Sequence, residues 1–132
     1  MQMTSSIKWV PKNWGGEKWI CNSKEYCGKL LYFVKGKKCS WHYHVLKDET
    51  FYIQSGKILL KYSEEDEIET AQEVILNQGD KFHIYRGLRH QMLALEDTVF
   101  EEISSTNFSD DSFYTDSASL AIERKTPISL WF

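Results

Sequence analysis

Short strand-like segments separated by turn signals run through most of this 132-residue chain. Turn residues such as Ser55-Gly56 and Arg86-Gly87 separate segments that are either apolar or alternate between apolar and polar residues. The predicted strands span residues 30–35, 49–54, 57–62, 74–76, 81–85, 91–95 and 99–104. Strands this short and this regularly punctuated indicate a sandwich or a barrel. No helical period is sustained before about Ser117, so we expect an all-β fold with at most a short helix over residues 117–124.

The length allows one domain with one core, and hydrophobic residues make up 42% of the chain. The formal net charge of −3, with both signs interspersed, gives no electrostatic case for nucleic acid or an anionic membrane surface. No apolar run approaches the ~20 residues that span a bilayer, and the first residues lack the apolar segment of a secretory signal. The three cysteines show no C-x-x-C spacing. We therefore expect a reduced, cytoplasmic protein.

The segment over residues 30–35 is apolar on both of its alternating faces. A strand of this kind needs cover on both sides. Because a small barrel covers only its inner face, we expect a second subunit on the outer face. The sequence therefore predicts a homodimer.

Three polar residues in the centre of the chain have the spacing of metal ligands. His42 and His44 are two residues apart, so in a strand both imidazoles point to the same side. Glu49 begins the next predicted strand on the face of Phe51 and Ile53. A carboxylate on that face is costly to bury unless it binds a cation or a hydrogen-bond donor.

A further histidine, His90, follows the turn at Gly87. A single histidine is more often structural than a ligand, and we interpret His83, between the apolar Phe82 and Ile84, in this way. His42, His44, Glu49 and His90 together, placed between strands and glycine turns, are much harder to explain as separate structural residues. We therefore predict that these four side chains bind one metal ion.

The same residues resemble the first motif of the cupin superfamily, G-x5-H-x-H-x4-E-x6-G. Gly36, His42, His44, Glu49 and Gly56 match it position for position. The second motif, G-x5-P-x-G-x2-H-x3-N, is matched at Gly79, Gly87 and His90, whereas its proline is Tyr85 here and its asparagine is Ala94. The resemblance implies a cupin double-stranded β-helix, or jelly-roll barrel, in which the three histidines and the glutamate bind one divalent metal. Zinc, manganese, iron, nickel and cobalt all suit such ligands.

A narrower resemblance, from about Trp14 to Asp111, is to the isomerase domain of type II phosphomannose isomerases and to small sugar-isomerase-like cupins. It includes Trp14-Gly-Gly-Glu17, Lys29 and the segment from Glu102 to Asp111, although that family commonly has Gln where this chain has His42. The resemblance implies a barrel over residues 14–111. Residues 1–13 would then form an N-terminal arm, and residues 112–132 an extension that packs on the barrel or on a partner subunit.

The isomerase resemblance also implies a reaction and a substrate class. Isomerisation of a sugar or sugar phosphate passes through an enediolate, whose developing charge a divalent metal stabilises while an acid/base residue carries the proton. Glu102 is the leading candidate for that proton transfer, with Glu17 second. Lys29 and Arg89 are candidates for binding a phosphate or a sugar hydroxyl.

Two other functions remain open at this stage. One is an iron- or nickel-dependent cupin oxygenase or a metal-assisted lyase, because the ligand set does not choose among these chemistries. The other is a non-catalytic module that binds a sugar or another small molecule. Oxygen consumption distinguishes the oxygenase from the isomerase, and ligand affinity without turnover distinguishes the binding module.

Overall fold

The structure is a computed structural model that describes Thr4 and residues 6–115. This part of the chain forms eleven strands and one 3₁₀ turn at Ile68–Thr70, and it contains no α-helix. The strands are β1 (Lys8–Lys12), β2 (Gly15–Asn22), β3 (Cys27–Phe33), β4 (His42–Tyr43), β5 (Glu49–Ser55), β6 (Lys57–Ser63), β7 (Gln72–Asn77), β8 (Lys81–Ile84), β9 (Arg89–Ala94), β10 (Thr98–Ser104) and β11 (Phe113–Tyr114). Within the same residues, no helix has the length and apolar character to cross a membrane.

The strands form two antiparallel sheets. The six-stranded sheet has the order β1-β2-β3-β10-β5-β8, and the five-stranded sheet has the order β11-β4-β9-β6-β7. The buried core draws on both sheets, with Leu31, Phe33 and Phe100 from the first and Leu60 and Met92 from the second. The predicted all-β jelly roll is therefore confirmed.

Burial alternates along the strands as the apolar pattern predicts. On β5, Glu49, Phe51 and Ile53 are buried, whereas Tyr52 and Gln54 are exposed. On β3, where both faces were expected to be covered, only one face is fully buried. Alternate residues, from Cys27 to Phe33, are buried, and those between them are half-buried.

Part of the cover on the outer face of β3 comes from the N-terminal strand of the same chain. The ring of Trp9 on β1 lies 5.7 Å from the ring of Tyr32. It reaches this place by passing over Gly16, where any Cβ atom would collide with the indole. The edge position of β1 thus depends on a glycine in β2, and residues 8–12 of the predicted N-terminal arm belong to the sheet.

At the other end of the described residues, β11 pairs with β4. The first residues of the predicted C-terminal extension therefore pack on the jelly roll. The predicted helix over residues 117–124 and the rest of the predicted extension, residues 116–132, lie outside the described residues. Ile20, Tyr52 and Ile103 on the six-stranded sheet are exposed, and the homodimer stays a prediction.

The turn between β5 and β6 requires glycine because of its left-handed backbone and because a side chain would collide with neighbouring atoms. Substitution at two glycines separates these two effects. Gly56 has φ +95°, and a Cβ atom there would lie 2.5 Å from the carbonyl oxygen of Asp97 and 2.7 Å from Cα of Thr98. Gly79 has a similar φ of +92° but open space around it. We expect Gly79→Ala to cost about 1–2 kcal/mol, the penalty of left-handed backbone. Gly56→Ala should cost about 1–3 kcal/mol more because of the collision, measured as the urea unfolding midpoint at unchanged m. Equal losses would contradict this account of the turn.

Candidate metal centre and adjoining cavity

Three histidines converge at one point on the inner side of the five-stranded sheet. His42 on β4 is the direct partner of His90 on β9, and His44 follows two residues after His42. One ring nitrogen from each histidine lies within 4.8 Å of those of the other two. The ring centroids are 4.9 Å apart for His42 and His44, 4.4 Å for His42 and His90, and 5.6 Å for His44 and His90. Three residues predicted from spacing alone are thus brought together.

Each of these imidazoles is oriented by a backbone carbonyl that accepts a hydrogen bond from its Nδ1. Since Nδ1 carries the proton in this arrangement, Nε2 has the lone pair and is the atom available to a metal. The accepting carbonyls are those of Ser40 for His42 (2.9 Å), Asp111 for His44 (2.6 Å) and Leu88 for His90 (2.9 Å). The backbone therefore selects one tautomer at all three positions.

Glu49 completes the set. Its Oε2 lies 3.4 Å from Nε2 of His44 and 3.5 Å from Nε2 of His90. The side chain is buried, and Oε2 has no hydrogen-bond partner among the described residues. A buried acceptor without a donor is costly, whereas a cation at the meeting point of the imidazoles would satisfy it. Three neutral nitrogens and one carboxylate are a donor set suited to a divalent transition metal, so these residues fit the metal that the sequence predicts.

The protonation equilibria of the three histidines favour the same use. Burial lowers the pKa of His44 to about 2 and that of His90 to about 3, with further lowering from nearby positive groups. The pKa of His42 is also lowered, again mainly by burial. Burial raises the pKa of Glu49 to about 8, although the ammonium group of Lys47 opposes the shift. The imidazoles are therefore neutral, as metal binding requires.

A buried lysine connects Glu49 to the next carboxylate. Nζ of Lys47 lies 3.4 Å from Oε1 of Glu49 and 3.1 Å from Oε2 of Glu102. Burial lowers the pKa of Lys47, but the two glutamates raise it more, so the ammonium form is retained. Burial raises the pKa of Glu102. The positive charges of Lys47 and Lys29 together lower it by more, so the net shift is downward. Glu102 is therefore ionised and held between two cations.

Lys29 extends this row of charges away from the histidines. Its Nζ lies 3.4 Å from Oε1 of Glu17, 3.0 Å from Oδ1 of Asn107 and 4.0 Å from Glu102. Lys29 is also 4.2 Å from the ring centroid of Trp19, whose indole N–H donates to Glu17 at 2.8 Å. Salt bridges and hydrogen bonds therefore link Glu49 through two lysines to Glu17.

These groups line a cavity of about 200 Å³ between the two sheets. The three histidines, Glu49, both buried lysines, Glu102 and Glu17 all contribute to its wall, together with apolar residues such as Phe51 and Met92. The cavity is large enough for a small molecule, and it combines apolar walls with a few polar groups as ligand sites do. Seven of the eight predicted site residues meet here: His42, His44, Glu49, His90, Glu102, Glu17 and Lys29.

The eighth, Arg89, does not line the cavity. Its guanidinium pairs with Asp66 at 2.8 Å and stacks on the ring of Tyr43 at 3.8 Å. Arg89 precedes His90 on β9, so alternation directs it away from the histidine cluster. His83, interpreted as structural, is exposed and pairs with Asp48 at 2.8 Å, away from the cluster.

Sequence reasoning missed Lys47, Asn107 and Asp111. Lys47 could have been predicted from the sequence. It lies two residues before Glu49, and residues two apart in a strand point to the same face. Asn107 and Asp111 lie in an irregular segment after β10, where no periodicity indicates which side chains turn inward. Only the path of the folded chain brings them to the site.

Asp111 holds the segment that carries His44. Its carbonyl accepts the Nδ1 proton of His44, and its carboxylate accepts backbone N–H bonds from Val45 (2.9 Å), Leu46 (3.0 Å) and Lys47 (2.9 Å). The residue is buried. One side chain and one carbonyl therefore fix the loop between a histidine of the cluster and the buried lysine.

The chain belongs to the cupin family, because the family model described as "Cupin domain" matches residues 29–104, more than half of its length. No curated protein matches the sequence. Among solved structures, the fold is similar to that of the capsular polysaccharide assembling protein CapF from Staphylococcus aureus, with a TM-score of 0.71, 16% identity and 84% of this chain covered. This chain spans about a third of CapF, 34% of its length.

Two shorter proteins also share the fold. The L-ribose isomerase of Cellulomonas parahominis has a TM-score of 0.72 and 16% identity, with 82% of this chain and 72% of that protein covered. KdgF from Halomonas sp. has a TM-score of 0.66 and 19% identity, with 78% and 91% covered. At these identities the similarity establishes the fold.

We expect the metal-free protein to lose stability as the pH falls below about 6.5. The unfolded chain binds protons at its histidines near that pH, whereas the folded cluster does not until far lower pH. Each imidazole should contribute a loss of up to about 1.4 kcal/mol per pH unit. Glu49, whose pKa is raised in the folded state, contributes in the opposite sense between pH 4.5 and about 8.

This expectation is measured by urea unfolding of chelator-treated protein between pH 7 and pH 5. The control is His83→Gln, which removes a histidine that lies away from the cluster and should keep the loss of stability at acidic pH. The double variant His44→Gln, His90→Gln should reduce that loss. A wild-type slope that matched the double variant would contradict the assignment of neutral, buried imidazoles.

Replacing the carboxylate of Asp111 should weaken metal binding although Asp111 is not itself a proposed ligand. In Asp111→Asn, one amide oxygen replaces two carboxylate oxygens that accept the N–H groups of residues 45–47. Loss of such supporting contacts typically weakens metal affinity about 10–100-fold. The matched control is Asp110→Asn, which removes the same charge from an exposed neighbour. Competition with a chromophoric chelator measures both affinities, and equal values would refute the role of Asp111.

Proposed function

We propose that this cupin is a metal-dependent sugar or sugar-phosphate isomerase or epimerase. The observation that carries the proposal is the position of the charged row Glu49–Lys47–Glu102–Lys29–Glu17 beside the three histidines, inside one small cavity. A site that only stored a metal would not need four further buried or half-buried charges along the wall. Acid/base groups beside a Lewis acid are what enediolate chemistry needs.

His42, His44, Glu49 and His90 would hold the metal, which when bound supplies Lewis-acid stabilisation of a developing oxyanion. The remaining steps belong to the chain itself. Lys47 neutralises part of the charge on Glu49 and Glu102. A substrate that fills the cavity would displace water from it, which strengthens the charge interactions at the reacting carbons.

Of the two predicted acid/base residues, the contacts favour Glu17. Glu102 accepts hydrogen bonds from Lys47 and Ser104 and is kept ionised, so it is a poor proton acceptor and suits an anchoring role. Glu17 lies farther along the cavity wall, and its contacts, with Trp19 and Lys29, are both made by Oε1. We therefore assign proton transfer to Glu17, and Lys29 to binding a substrate oxygen.

The name of one neighbour in fold, the L-ribose isomerase, agrees with this reaction class. The fold alone does not define a substrate, because one fold hosts many reactions. The proposal therefore depends on the cavity groups of this chain. The homodimer and the cytoplasmic location accompany it as predictions from the sequence.

The test is isomerisation in deuterated water, followed by NMR on a panel of pentoses, hexoses and their phosphates. Proton transfer through an enediolate incorporates deuterium beside the carbonyl carbon, so exchange reports the step itself. We expect exchange with metal-loaded protein, and its loss in His90→Ala together with the metal, measured by elemental mass spectrometry. Glu17→Gln should keep the metal and lose about 10²–10⁴-fold in rate, whereas the exposed control Glu69→Gln should match wild type.

Two results would overturn the proposed reaction, and a third would overturn only the assignment of proton transfer to Glu17. Oxygen consumption without exchange would indicate an oxygenase. Sugar affinity with no exchange and no turnover would indicate a binding module. Full activity in Glu17→Gln would remove Glu17 from the mechanism and return proton transfer to another residue.

A further inference from the structure

One uncharged side chain lies among the buried charges of the cavity wall. Oδ1 of Asn107 is 3.0 Å from Nζ of Lys29 and 3.1 Å from Nζ of Lys47. The same two ammonium groups flank Oε2 of Glu102, at 4.0 Å and 3.1 Å. Because an ammonium group has only donors, the amide of Asn107 must present its oxygen here. A single acceptor oxygen without charge therefore bridges two buried cations.

This amide oxygen is not needed to balance the charges around it. Lys29 pairs with Glu17, and Lys47 pairs with Glu49 and Glu102. Another acceptor oxygen could take the same place, because a hydroxyl or carbonyl oxygen also accepts two hydrogen bonds. Such an exchange would leave these ion pairs intact, so it would avoid the large cost of an unpaired buried charge.

The amide is carried by a strap, residues 105–112, that follows β10 and contains no strand. Both ends of the strap are anchored. The N–H of Ser105 donates to the carbonyl of Asp48 at 3.0 Å, and Asp111 accepts the backbone N–H bonds of residues 45–47. Four residues of the strap line the cavity, and one of them, Phe108, is 48% exposed. The centre of the strap therefore forms a part of the wall that faces solvent.

Side chains at the surface hold the centre of the strap. Oδ1 of Asn22 accepts the N–H of Asn107 at 2.9 Å, and Nδ2 of Asn22 donates to the carbonyl of Asn107 at 3.0 Å. The hydroxyl of Thr106 donates to the carbonyl of Ser23 at 2.8 Å. Asn22 is exposed, so water competes for its bonds and their net contribution is small. Displacing the centre of the strap would therefore break no pairing within either sheet.

We propose that Oδ1 of Asn107 occupies a subsite for one uncharged oxygen of the bound molecule, a hydroxyl or a carbonyl. The ligand places this oxygen between Lys29 and Lys47, displaces the amide and moves the strap. The ligand class is a polyhydroxylated molecule. The inference rests on the proposed small-molecule site and extends it, by naming where an uncharged oxygen of the substrate binds and which side chain competes with it. Affinity then depends on the difference between binding the ligand oxygen and binding the amide oxygen.

The test uses metal-loaded protein and xylitol, an acyclic polyol that has no carbonyl group and so cannot be isomerised. Titration calorimetry measures the affinity, and elemental mass spectrometry measures the metal content of each variant. Asn107→Ala removes the competing oxygen, so we expect xylitol to bind about 3–10-fold more tightly, which corresponds to the net contribution of about one hydrogen bond. Asn107→Asp places a carboxylate between the two ammonium groups and should weaken xylitol binding. The matched control is Asn77→Ala, at an exposed position outside the cavity, which should keep wild-type affinity.

Hydrogen exchange of the wild-type protein gives a second readout that needs no substitution. The N–H of Asn107 is bonded to Asn22 in the structure. A ligand that displaces the strap breaks this bond, so saturating xylitol should speed the exchange of this N–H. A ligand that only filled the cavity would slow it, because binding stabilises the surrounding wall.

Weaker xylitol binding by Asn107→Ala would overturn the inference, because the amide would then be a contact of the ligand and not its competitor. Equal affinities of Asn107→Ala and Asn77→Ala, slower exchange of the Asn107 N–H with xylitol, or no xylitol binding by either wild type or Asn107→Ala at tens of millimolar would overturn it too. Its failure is distinguishable from that of the proposed function. Deuterium exchange on sugars with equal xylitol affinities would refute only this inference, and tighter xylitol binding by Asn107→Ala without exchange on any sugar would refute only the isomerase.

Discussion

The burial of the Glu49 carboxylate is the constraint on which the rest of the site depends. Removing an ionised carboxylate from water costs several kcal/mol unless its charge and lone pairs are satisfied. Lys47 satisfies one oxygen, and the other faces two imidazole nitrogens whose protons lie on the far side of each ring. The protein therefore pairs one carboxylate oxygen of Glu49 with a positive charge. It directs the other oxygen at the place where a cation fits.

The compensation spreads outward as a chain of contacts. The ammonium of Lys47 needs Glu102 as well as Glu49, Glu102 needs Lys29 as well as Lys47, and Lys29 contacts Glu17 and Asn107. Each buried charge is tolerable because its neighbour carries the opposite sign. In consequence the same network that surrounds the candidate metal ligands also lines the cavity with the charged groups on which the proposed function depends.

The local sequence pattern predicted most of the strands and which of their residues face inward. The alternation that places Glu49 beside Phe51 and Ile53 holds in the structure, as does the grouping of His42, His44 and His90. Strand ends shifted by at most three residues, as at β3, which begins at Cys27. Strands β1, β2, β4 and β11 were not predicted. β1 is a lysine-flanked edge strand and β4 and β11 have two residues each, so they have little periodicity to detect. β2 begins with two glycines and has no regular alternation of apolar and polar residues.

Local sequence reasoning failed at Arg89 and at Asp111 in different ways: it included Arg89 in the site and omitted Asp111. Arg89 was grouped with the site because it adjoins His90 along the chain, yet neighbours in a strand face opposite sides. Asp111 closes the loop after His44 from more than sixty residues away, and nothing in its local sequence indicates that contact.

The sequence pattern by itself indicated an all-β sandwich or barrel and the set of side chains that could hold a metal, because period-2 alternation and short spacings are local properties of the chain, and the resemblance to the cupin motifs implied the jelly roll. Only the tertiary structure decided which tautomer each histidine adopts, which cations accompany Glu49 and Glu102, and that β1 forms a wall of the cavity. Those outcomes depend on backbone carbonyls and charges that are distant in sequence. Their pairing is set by how two sheets close around one core.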